Sequence, residues 1–337
     1  MMLKKLVSSL LCATALTLPG AAMAQEFVLK VSAPVPPTER DVVYDWMLNF
    51  ERGVEERSGG RIDVQLYPAN QLGQLPAAVE GVSMGTIEVT FSIIGFFSSL
   101  DPRFQVLDAG GLYTTPEIAA AALASPEVRA MLSTFGEAAG VEPLTVVIDG
   151  QGLLISRDPI EQVSDFVGLK VRSGGATPLL NQPLIALGAS PVAMPLGEVV
   201  PGLQTGTIDA ATNSMGIING FRMADVAHYV TYLPGNYTTV GAVVNRNFME
   251  TIGPELAAIV REEARVADGV IATHLAHAGG GEDAFRAAGG TVIRMNDEET
   301  AQYLAVTNPI VAGIVATNAQ MQADYDVLAA AAAAVSQ

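Results

Sequence analysis

The stretch that decides the fold is residues 168–211, GLKVRSGGATPLLNQPLIALGASPVAMPLGEVVPGLQTGTIDAA. Its pattern predicts a short apolar strand at Leu169–Ser173, helices at Thr177–Leu187 and around Gly197–Gln204, and a second strand at Thr207–Ala211. Helices of this length between short apolar strands are typical of a mostly parallel sheet with helices on its faces. The stretch therefore predicts an α/β fold.

The chain before this stretch shows the same alternation of strands and helices. The predicted elements are strands at Phe27–Ala33, Ile62–Leu66 and Ile87–Phe91, helices at Val43–Val54 and Pro76–Met84, an Ala-rich helical stretch at 116–139, and strands at 144–149 and 152–157. Two such sets in about 300 residues favour two lobes with a cleft between them, because a single core stops growing near that size.

The lobes are expected to be discontinuous in sequence. We assign residues 25–149 and about 238–280 to lobe I, and residues 150–237 and about 281–337 to lobe II. A helical pattern runs from Pro254 to Ala278 and is followed by three glycines. Because this pattern is longer than an ordinary domain helix, we expect a helix that spans both lobes.

The first 24 residues have the pattern of a cleaved export signal. Lys4 and Lys5 precede an apolar run from Leu6 to Leu18, and Ala22-Met-Ala24 follows as a cleavage site. The alternative is a membrane anchor, but a span needs roughly 20 apolar residues and this run has about a dozen. Cys12, the only cysteine, would leave with the signal. The mature chain is therefore expected to be exported, free of cysteine and not inserted in a membrane.

Charge excludes several classes of partner. The sequence has 35 Asp and Glu against 18 Lys and Arg, a formal net charge of −17. Such a chain repels nucleic-acid phosphates and anionic lipids, so we expect no nucleic-acid partner. Hydrophobic residues make up 50% of the chain and charged residues 16%, which excludes a disordered protein.

The sequence contains no recognisable catalytic motif. A nucleophile elbow, a P-loop, a Gly-x-Gly-x-x-Gly turn after a strand and a His-Glu-x-x-His motif are all missing. His274 and His277 could share a helix face as half of a metal site, but no third ligand is apparent and solvated side chains explain them better. We expect neither an enzyme, nor a metal site, nor a cofactor.

Short motifs spread over nearly all of the mature chain resemble one family. They are Ser58–Gly73 with Met84–Glu88, Pro159-Ile160, Asp165, Gly168-Leu-Lys-Val-Arg172, Leu187-Gly-Ala189, Pro195, Glu198-Val199, Gly202-Leu-Gln-Thr-Gly-Thr-Ile-Asp209, Asn213 and Val244-Asn-Arg-Asn-Phe248. Together they resemble the DctP-type extracytoplasmic solute receptors of tripartite ATP-independent periplasmic (TRAP) transporters.

The resemblance implies a periplasmic binding protein whose two α/β lobes close about a hinge over a small organic acid. The receptor would deliver that acid to the membrane permease subunits of a TRAP transporter. It also implies that Arg172 holds the ligand carboxylate. The chemistry agrees, because a guanidinium offers a rigid, always charged fork that matches both carboxylate oxygens. The alternative role for Arg172 is an ion pair on the surface.

Six further residues are placed at the ligand by position in the family pattern. They are Asn213, Gln151, Phe91, Ser92, Leu196 and Tyr237. Asn213 would hydrogen-bond the ligand, although Asn is also a common turn residue. Phe91 and Ser92 would face the cleft from lobe I, or else belong to the core.

Departures from the family pattern narrow the expected ligand. Gln151 stands near the place where many members have a second arginine, which makes dicarboxylates less favoured. Leu196 stands where an aromatic residue is common, so the ring on which a planar ligand could stack is missing unless Phe91, Tyr113 or Tyr237 replaces it. We therefore expect a monocarboxylate with an uncharged or apolar remainder. A periplasmic ligand sensor and an enzyme on a binding-protein scaffold remain the alternatives.

Overall fold

A computed structural model describes residues 25–38, 41–175, 177–276 and 279–336. The predicted export signal at 1–24 and His277 lie outside these ranges. Among the helices in these ranges, none is both long and apolar enough to cross a membrane.

The described strands form one continuous mixed sheet. They are β1 (Phe27–Ser32), β2 (Ile62–Tyr67), β3 (Val89–Ile93), β4 (Val141–Ser156), β5 (Lys170–Ser173), β6 (Ser190–Ala193), β7 (Ala210–Asn213), β8 (Tyr229–Asn245) and β9 (Thr291–Arg294). Their order is β2-β1-β3-β8-β4-β7-β5-β6, and β9 lies outside this order and pairs with β8. β1, β2 and β3 pair in parallel, as do β5, β6 and β7, so each end of the sheet is the parallel kind that the sequence predicts.

Two long antiparallel strands, β4 and β8, join the two ends of the sheet. They pair from Val141 with Asn245 to Gln151 with Tyr237, and the pairing then resumes at Leu153 with Tyr232. The four residues between Tyr232 and Tyr237 thus bulge out of β8, and Gly235 adopts a left-handed φ of 65° there. The irregularity lies where the sheet passes from one lobe to the other. The sequence predicts two strands within 144–157, but they form the single strand β4.

Helices cover both faces of the sheet. They are α1 (Val42–Arg57), α2 (Leu75–Met84), α3 (Pro116–Leu123), α4 (Pro126–Leu132), α5 (Pro178–Ala186), α6 (Val199–Thr205), α7 (Met215–Gly220), α8 (Arg246–Thr251), α9 (Gly253–Ala276), α10 (Gly279–Ala287), α11 (Asp297–Val315) and α12 (Ala319–Val335). The predicted Ala-rich stretch at 116–139 is divided because Ser125 caps α4 and Pro126 cannot continue α3.

Separate apolar cores underlie the two lobes. In lobe I, α1 and α9 pack on one face of the sheet around Trp46, Phe50 and Val260. In lobe II, one core surrounds Leu203 and Ile218 and another surrounds Phe166. The two-lobe α/β fold that the sequence predicts is therefore what the chain forms.

The last helices differ in detail from the expected lobe assignment. The main contacts of α9 are with α1, α8 and β4 of lobe I, whereas α10 packs on α7 and β9 of lobe II. Helix α12, expected in lobe II, packs on α3 and α4 of lobe I. Its Leu328 joins the lobe I core, and its Asp324 binds Arg103 at 2.7 Å. Apolar burial and a buried ion pair thus return the end of the chain to lobe I.

Candidate ligand-binding site

A cavity of about 360 Å³ lies between the two lobes. Its walls come from β3, α2 and the loops after β1 and β2 on the lobe I side, and from the ends of β5, β6 and β7 on the other side. Parallel strands place their carboxyl ends at one edge, and open α/β sheets bind ligands in the crevice outside such ends. The position of the cavity therefore follows from the strand order.

Among the described residues that line this cavity, Arg172 is the one basic side chain. It lies on β5 and is 2% exposed. Its Nε donates to the carbonyl of Met194 at 3.0 Å and its Nη1 to the carbonyl of Thr212 at 3.3 Å. These two neutral acceptors orient the guanidinium, which forms no ion pair with a carboxylate among the residues described here. The surface ion pair considered for Arg172 is therefore not what the structure shows.

Burial without an acidic partner leaves the charge of Arg172 uncompensated. Desolvation lowers the pKa of Arg172 to about 10, and no neighbouring charge opposes that shift. The group nevertheless stays protonated at neutral pH. An anion that entered the cavity would meet a fixed, desolvated cation, and charge-assisted hydrogen bonds are strongest in such surroundings.

Asn213 and Ser173 lie beside Arg172 on the lobe II wall. Asn213 ends β7, is 4% exposed, and pairs with Leu153 of β4 rather than lying in a turn. Its Nδ2 meets only the sulfur of Met223, at 3.7 Å. Because sulfur is a weak acceptor, the amide keeps hydrogen-bonding capacity for a ligand.

Phe91 and Ser92 of β3 lie on the lobe I wall. The Phe91 ring packs against Trp46 with centroids 5.1 Å apart, so it belongs to the core as well as to the cavity. Ser92 is 3% exposed, and its hydroxyl has no hydrogen-bond partner among the described residues. A buried hydroxyl without a partner is costly, which suits a role in holding a ligand.

The remaining walls are largely apolar. Leu196 and Met194 face the cavity from lobe II, and Val35, Leu75 and Phe96 face it from lobe I. Leu196 therefore occupies the cavity wall but supplies no ring for stacking. A ligand remainder in this space would be desolvated against hydrocarbon.

Gln151 and Tyr237 do not line this cavity. The Gln151 amide donates to the carbonyl of Leu233 at 3.2 Å and lines a wider cleft. Tyr237 lines a smaller adjoining cavity, where its ring packs edge-on to Tyr113 at 5.9 Å. Burial raises the pKa of Tyr237 to about 12. Both residues lie at the β4–β8 irregularity, and a ligand role for either stays a prediction.

Several polar lining residues are missing from the sequence prediction, and two of them come from one loop. Asn70 and Gln74 approach the cavity from the loop between β2 and α2. Asn70 and the preceding Ala69 both have left-handed backbone angles, with φ of 59° and 53°. Adjacent non-glycine residues in this region are uncommon and often mark functional loops. Asn70 belongs to the Ser58–Gly73 motif that carries the family resemblance. No local sequence rule, however, indicates that its side chain lies at a ligand.

The described residues contain no cluster of three or more His, Cys, Asp or Glu side chains that could hold a metal ion. Among the described residues that line the 360 Å³ cavity, the charged ones are Arg172 and Asp149, and none is a histidine or a cysteine. The arrangement is that of a binding site for an anion with an apolar body.

Known proteins resemble the chain along most of its length. The model of a family described as bacterial extracellular solute-binding protein, family 7 (DctP), matches residues 35–318. The C4-dicarboxylate-binding periplasmic protein DctP of Rhodobacter capsulatus is 28% identical over 256 residues, which cover 74% of this chain and 75% of that protein. The ectoine-binding periplasmic protein TeaA of Halomonas elongata is 28% identical over 268 residues, which cover 77% of each.

The fold is also that of solved receptors. A TRAP periplasmic solute-binding protein from Desulfovibrio salexigens, solved with bound orotic acid, matches with a TM-score of 0.85. The match covers 91% of this chain and 99% of that one at 21% sequence identity. At this identity the likeness concerns the fold alone, and it confirms the predicted architecture.

Proposed function

The chain belongs to family 7 of the bacterial extracellular solute-binding proteins, and we propose that it is a periplasmic receptor for a small organic acid. The receptor would hand its ligand to the membrane permease of a TRAP transporter. Proteins of this family bind solutes rather than transform them, so the protein is a binding protein and not an enzyme. The names of the similar proteins, for C4-dicarboxylates, ectoine and orotic acid, support an acid of low molecular weight.

One observation carries the proposal: Arg172 is buried at the cavity, charged, and without a carboxylate partner among the described residues. A buried cation of this kind costs several kcal/mol unless an anion compensates it. The Met194 and Thr212 carbonyls hold the guanidinium in place but cannot neutralise it. A ligand carboxylate supplies the missing charge and accepts two parallel N–H bonds.

The lining favours one carboxylate per ligand. Among the described residues, the cavity wall offers a second carboxylate no second basic side chain, and that carboxylate would share the cavity with Asp149. The apolar lining from Leu75, Phe96 and Leu196 would also desolvate it without compensation. We therefore propose a monocarboxylate whose remainder is mainly apolar.

Binding would act by shifting the population of lobe arrangements. Arg172 and Asn213 belong to lobe II, whereas Phe91 and Ser92 belong to lobe I. A ligand that contacts both walls stabilises the closed arrangement, because those contacts exist together only there. The irregular β4–β8 crossing is where we place the hinge.

The test is calorimetry on protein purified from the periplasm after expression of the full chain. Pairs of acids that differ by one carboxylate are compared, such as butanoate with succinate and benzoate with phthalate. We expect the monocarboxylate of each pair to bind more tightly. Tighter binding of the dicarboxylates would overturn the proposed ligand class.

Arg172→Met tests the anchor in the same assay. Loss of one partner of a desolvated charge pair costs a few kcal/mol, so affinity should fall by about two decades or more. The control is Arg157→Met, which removes a lobe II arginine that pairs with Asp209 at 2.7 Å and does not line the cavity. Retained acid affinity in a folded Arg172→Met protein would contradict the proposed function.

A further inference from the structure

A second cavity, of about 80 Å³, adjoins the ligand cavity on the side of the β4–β8 crossing. The two share four lining residues, Ile93, Ser173, Asn213 and Thr238. The two cavities therefore have part of one wall in common. We call the smaller cavity the inner compartment.

Among the described residues that line the inner compartment, Asp108 is the one charged residue. Asp108 ends the 3₁₀ helix Pro102–Asp108 and is 7% exposed. Its Oδ2 lies against the backbone of Gly95, where a Cβ would collide with it, and has no hydrogen-bond partner among the described residues. Oδ2 thus lies in a buried site where the described residues offer it no donor.

Asp108 differs in this respect from the other fully buried acids of the described chain. Asp41 accepts two backbone N–H groups at the start of α1. Glu263 and Asp324 each bind an arginine, at 2.6 and 2.7 Å. Buried carboxyl groups are normally compensated in one of these ways, because desolvating them otherwise is costly. The exception therefore calls for a partner from outside the protein.

We propose that the inner compartment receives the basic group of an amphoteric acid, whose carboxylate lies on Arg172 and whose ammonium or amidinium group reaches Asp108. The apolar middle of such a ligand would occupy the larger cavity. This inference rests on the proposed function and deepens it, since it names the group at the far end of the ligand.

Two buried titratable groups, one basic and one acidic, support the proposal together. Burial alone lowers the pKa of Arg172 to about 10, and burial alone raises the pKa of Asp108 to about 8. Neither group contributes to the pKa shift of the other. Arg172 and Asp108 therefore do not compensate one another between the two cavities. A ligand that carries both charges compensates both, whereas a simple carboxylate compensates only Arg172.

Calorimetry with two matched series tests the inference. The probes are the ω-amino acids from 4-aminobutanoate to 8-aminooctanoate and the unsubstituted acids from butanoate to octanoate. We expect at least one amino acid to bind at least tenfold more tightly than its unsubstituted partner. Equal or weaker binding of every amino acid would overturn the inference, while binding of the unsubstituted acids would leave the proposed function standing.

Proton release provides a readout that a structural role would not give. Asp108 is protonated at pH 7, and the other titratable residues that line the compartment, Tyr237 and Tyr303, have raised pKa values and stay neutral. Pairing with a cationic ligand should therefore release about one proton, which calorimetry in buffers of different ionisation enthalpy detects. The unsubstituted acids should release none. Binding of the favoured amino acid without proton release would contradict the pairing.

Variants separate this inference from the proposed function. Asp108→Asn and Thr307→Leu, which fills the compartment from α11, should abolish the advantage of the amino acids and leave the unsubstituted acids unchanged. Arg172→Met should weaken both series. Asp268→Asn is the control, because this buried acid accepts from Trp46 and Thr145 and lines neither cavity. An advantage that persists in folded Asp108→Asn and Thr307→Leu proteins would overturn the inference.

Discussion

The two walls of the ligand cavity are built differently. The lobe II wall presents Arg172, Ser173 and Asn213 from the carboxyl ends of β5 and β7. The lobe I wall presents Phe91, Leu75 and other apolar side chains, with Ser92 among its few polar groups. The basic group, Arg172, therefore lies on lobe II. Most of the lobe I wall is apolar, and its charged described residue is the acidic Asp149.

This difference suggests a division of labour in binding. An acid can engage the fixed guanidinium of Arg172 while the lobes are apart, because that contact needs lobe II alone. Contact with Phe91 follows only when lobe I closes over the ligand, and apolar burial then supplies the gain in free energy. Substitutions on the two walls should accordingly have different effects on acid affinity and on the stability of the protein.

The largest effect on the lobe I wall is expected from Phe91→Ala. Deleting a buried ring costs about 3–5 kcal/mol of unfolding free energy, and here it also removes the partner of Trp46. Affinity for the acid should fall about tenfold, as lost apolar contact of one to two kcal/mol implies. Denaturant unfolding and calorimetry measure the two effects.

Phe166→Ala separates those two effects. Phe166 is equally buried in a lobe II core, where it packs near Tyr303 and away from the ligand cavity. The variant should lower the free energy of unfolding by an amount similar to that of Phe91→Ala and keep the acid affinity within about twofold of the unmodified protein. A matching loss of affinity in both variants would mean that global stability, and not the lobe I wall, controls binding.

A pH series distinguishes Asp108 of lobe I from Arg172 of lobe II. Burial raises the pKa of Asp108 to about 8, so the folded protein binds this proton more tightly than the unfolded chain does. That contribution to stability is present at low pH and is lost as the pH rises toward 8, by up to about 1.4 kcal/mol per pH unit. Asp41 and Asp268, with pKa values raised to about 6, have largely finished titrating above that value.

The melting temperature should therefore fall between about pH 6.5 and 8 in the unmodified protein and stay nearly level in Asp108→Asn. Affinity for butanoate should stay constant over the same interval, because Arg172, with a pKa of about 10, remains charged. An unchanged slope in Asp108→Asn would show that another group titrates there.

The smallest effect is expected from Ser92→Ala. The variant removes a buried hydroxyl without a described partner, so it should keep or slightly raise the stability of the protein. If the hydroxyl binds the ligand, affinity should fall about fivefold to tenfold, the value of one hydrogen bond. Thr90→Val is the control, since Thr90 of the same strand donates to the carbonyl of Ser32 instead. Unchanged affinity in Ser92→Ala would exclude Ser92 from the site.

Positions at strand ends could be predicted from the sequence. Arg172, Asn213, Phe91 and Ser92 each lie in the last residues of a short strand, and such ends converge at one edge of an α/β sheet. Their common place on the cavity thus follows from periodicity together with the family resemblance. Whether they contact a ligand is a prediction that the experiments above address.

Features set by irregular pairing could not be predicted in this way. Gln151 and Tyr237 lie where β8 bulges, and a shift in register redirects the side chains that follow. The inner compartment at Asp108 depends on the same crossing and on the contact with Gly95, which joins residues from separate elements. The return of α12 to lobe I likewise depends on long-range packing, including the pair of Arg103 with Asp324.

The most direct measurement is a crystal structure of the protein with the acid that binds most tightly in the calorimetric comparison. We expect both carboxylate oxygens to lie about 2.7–2.9 Å from the guanidinium nitrogens of Arg172, and the remainder of the ligand to contact Phe91. A carboxylate bound elsewhere, with Arg172 still held only by Met194 and Thr212, would contradict the account.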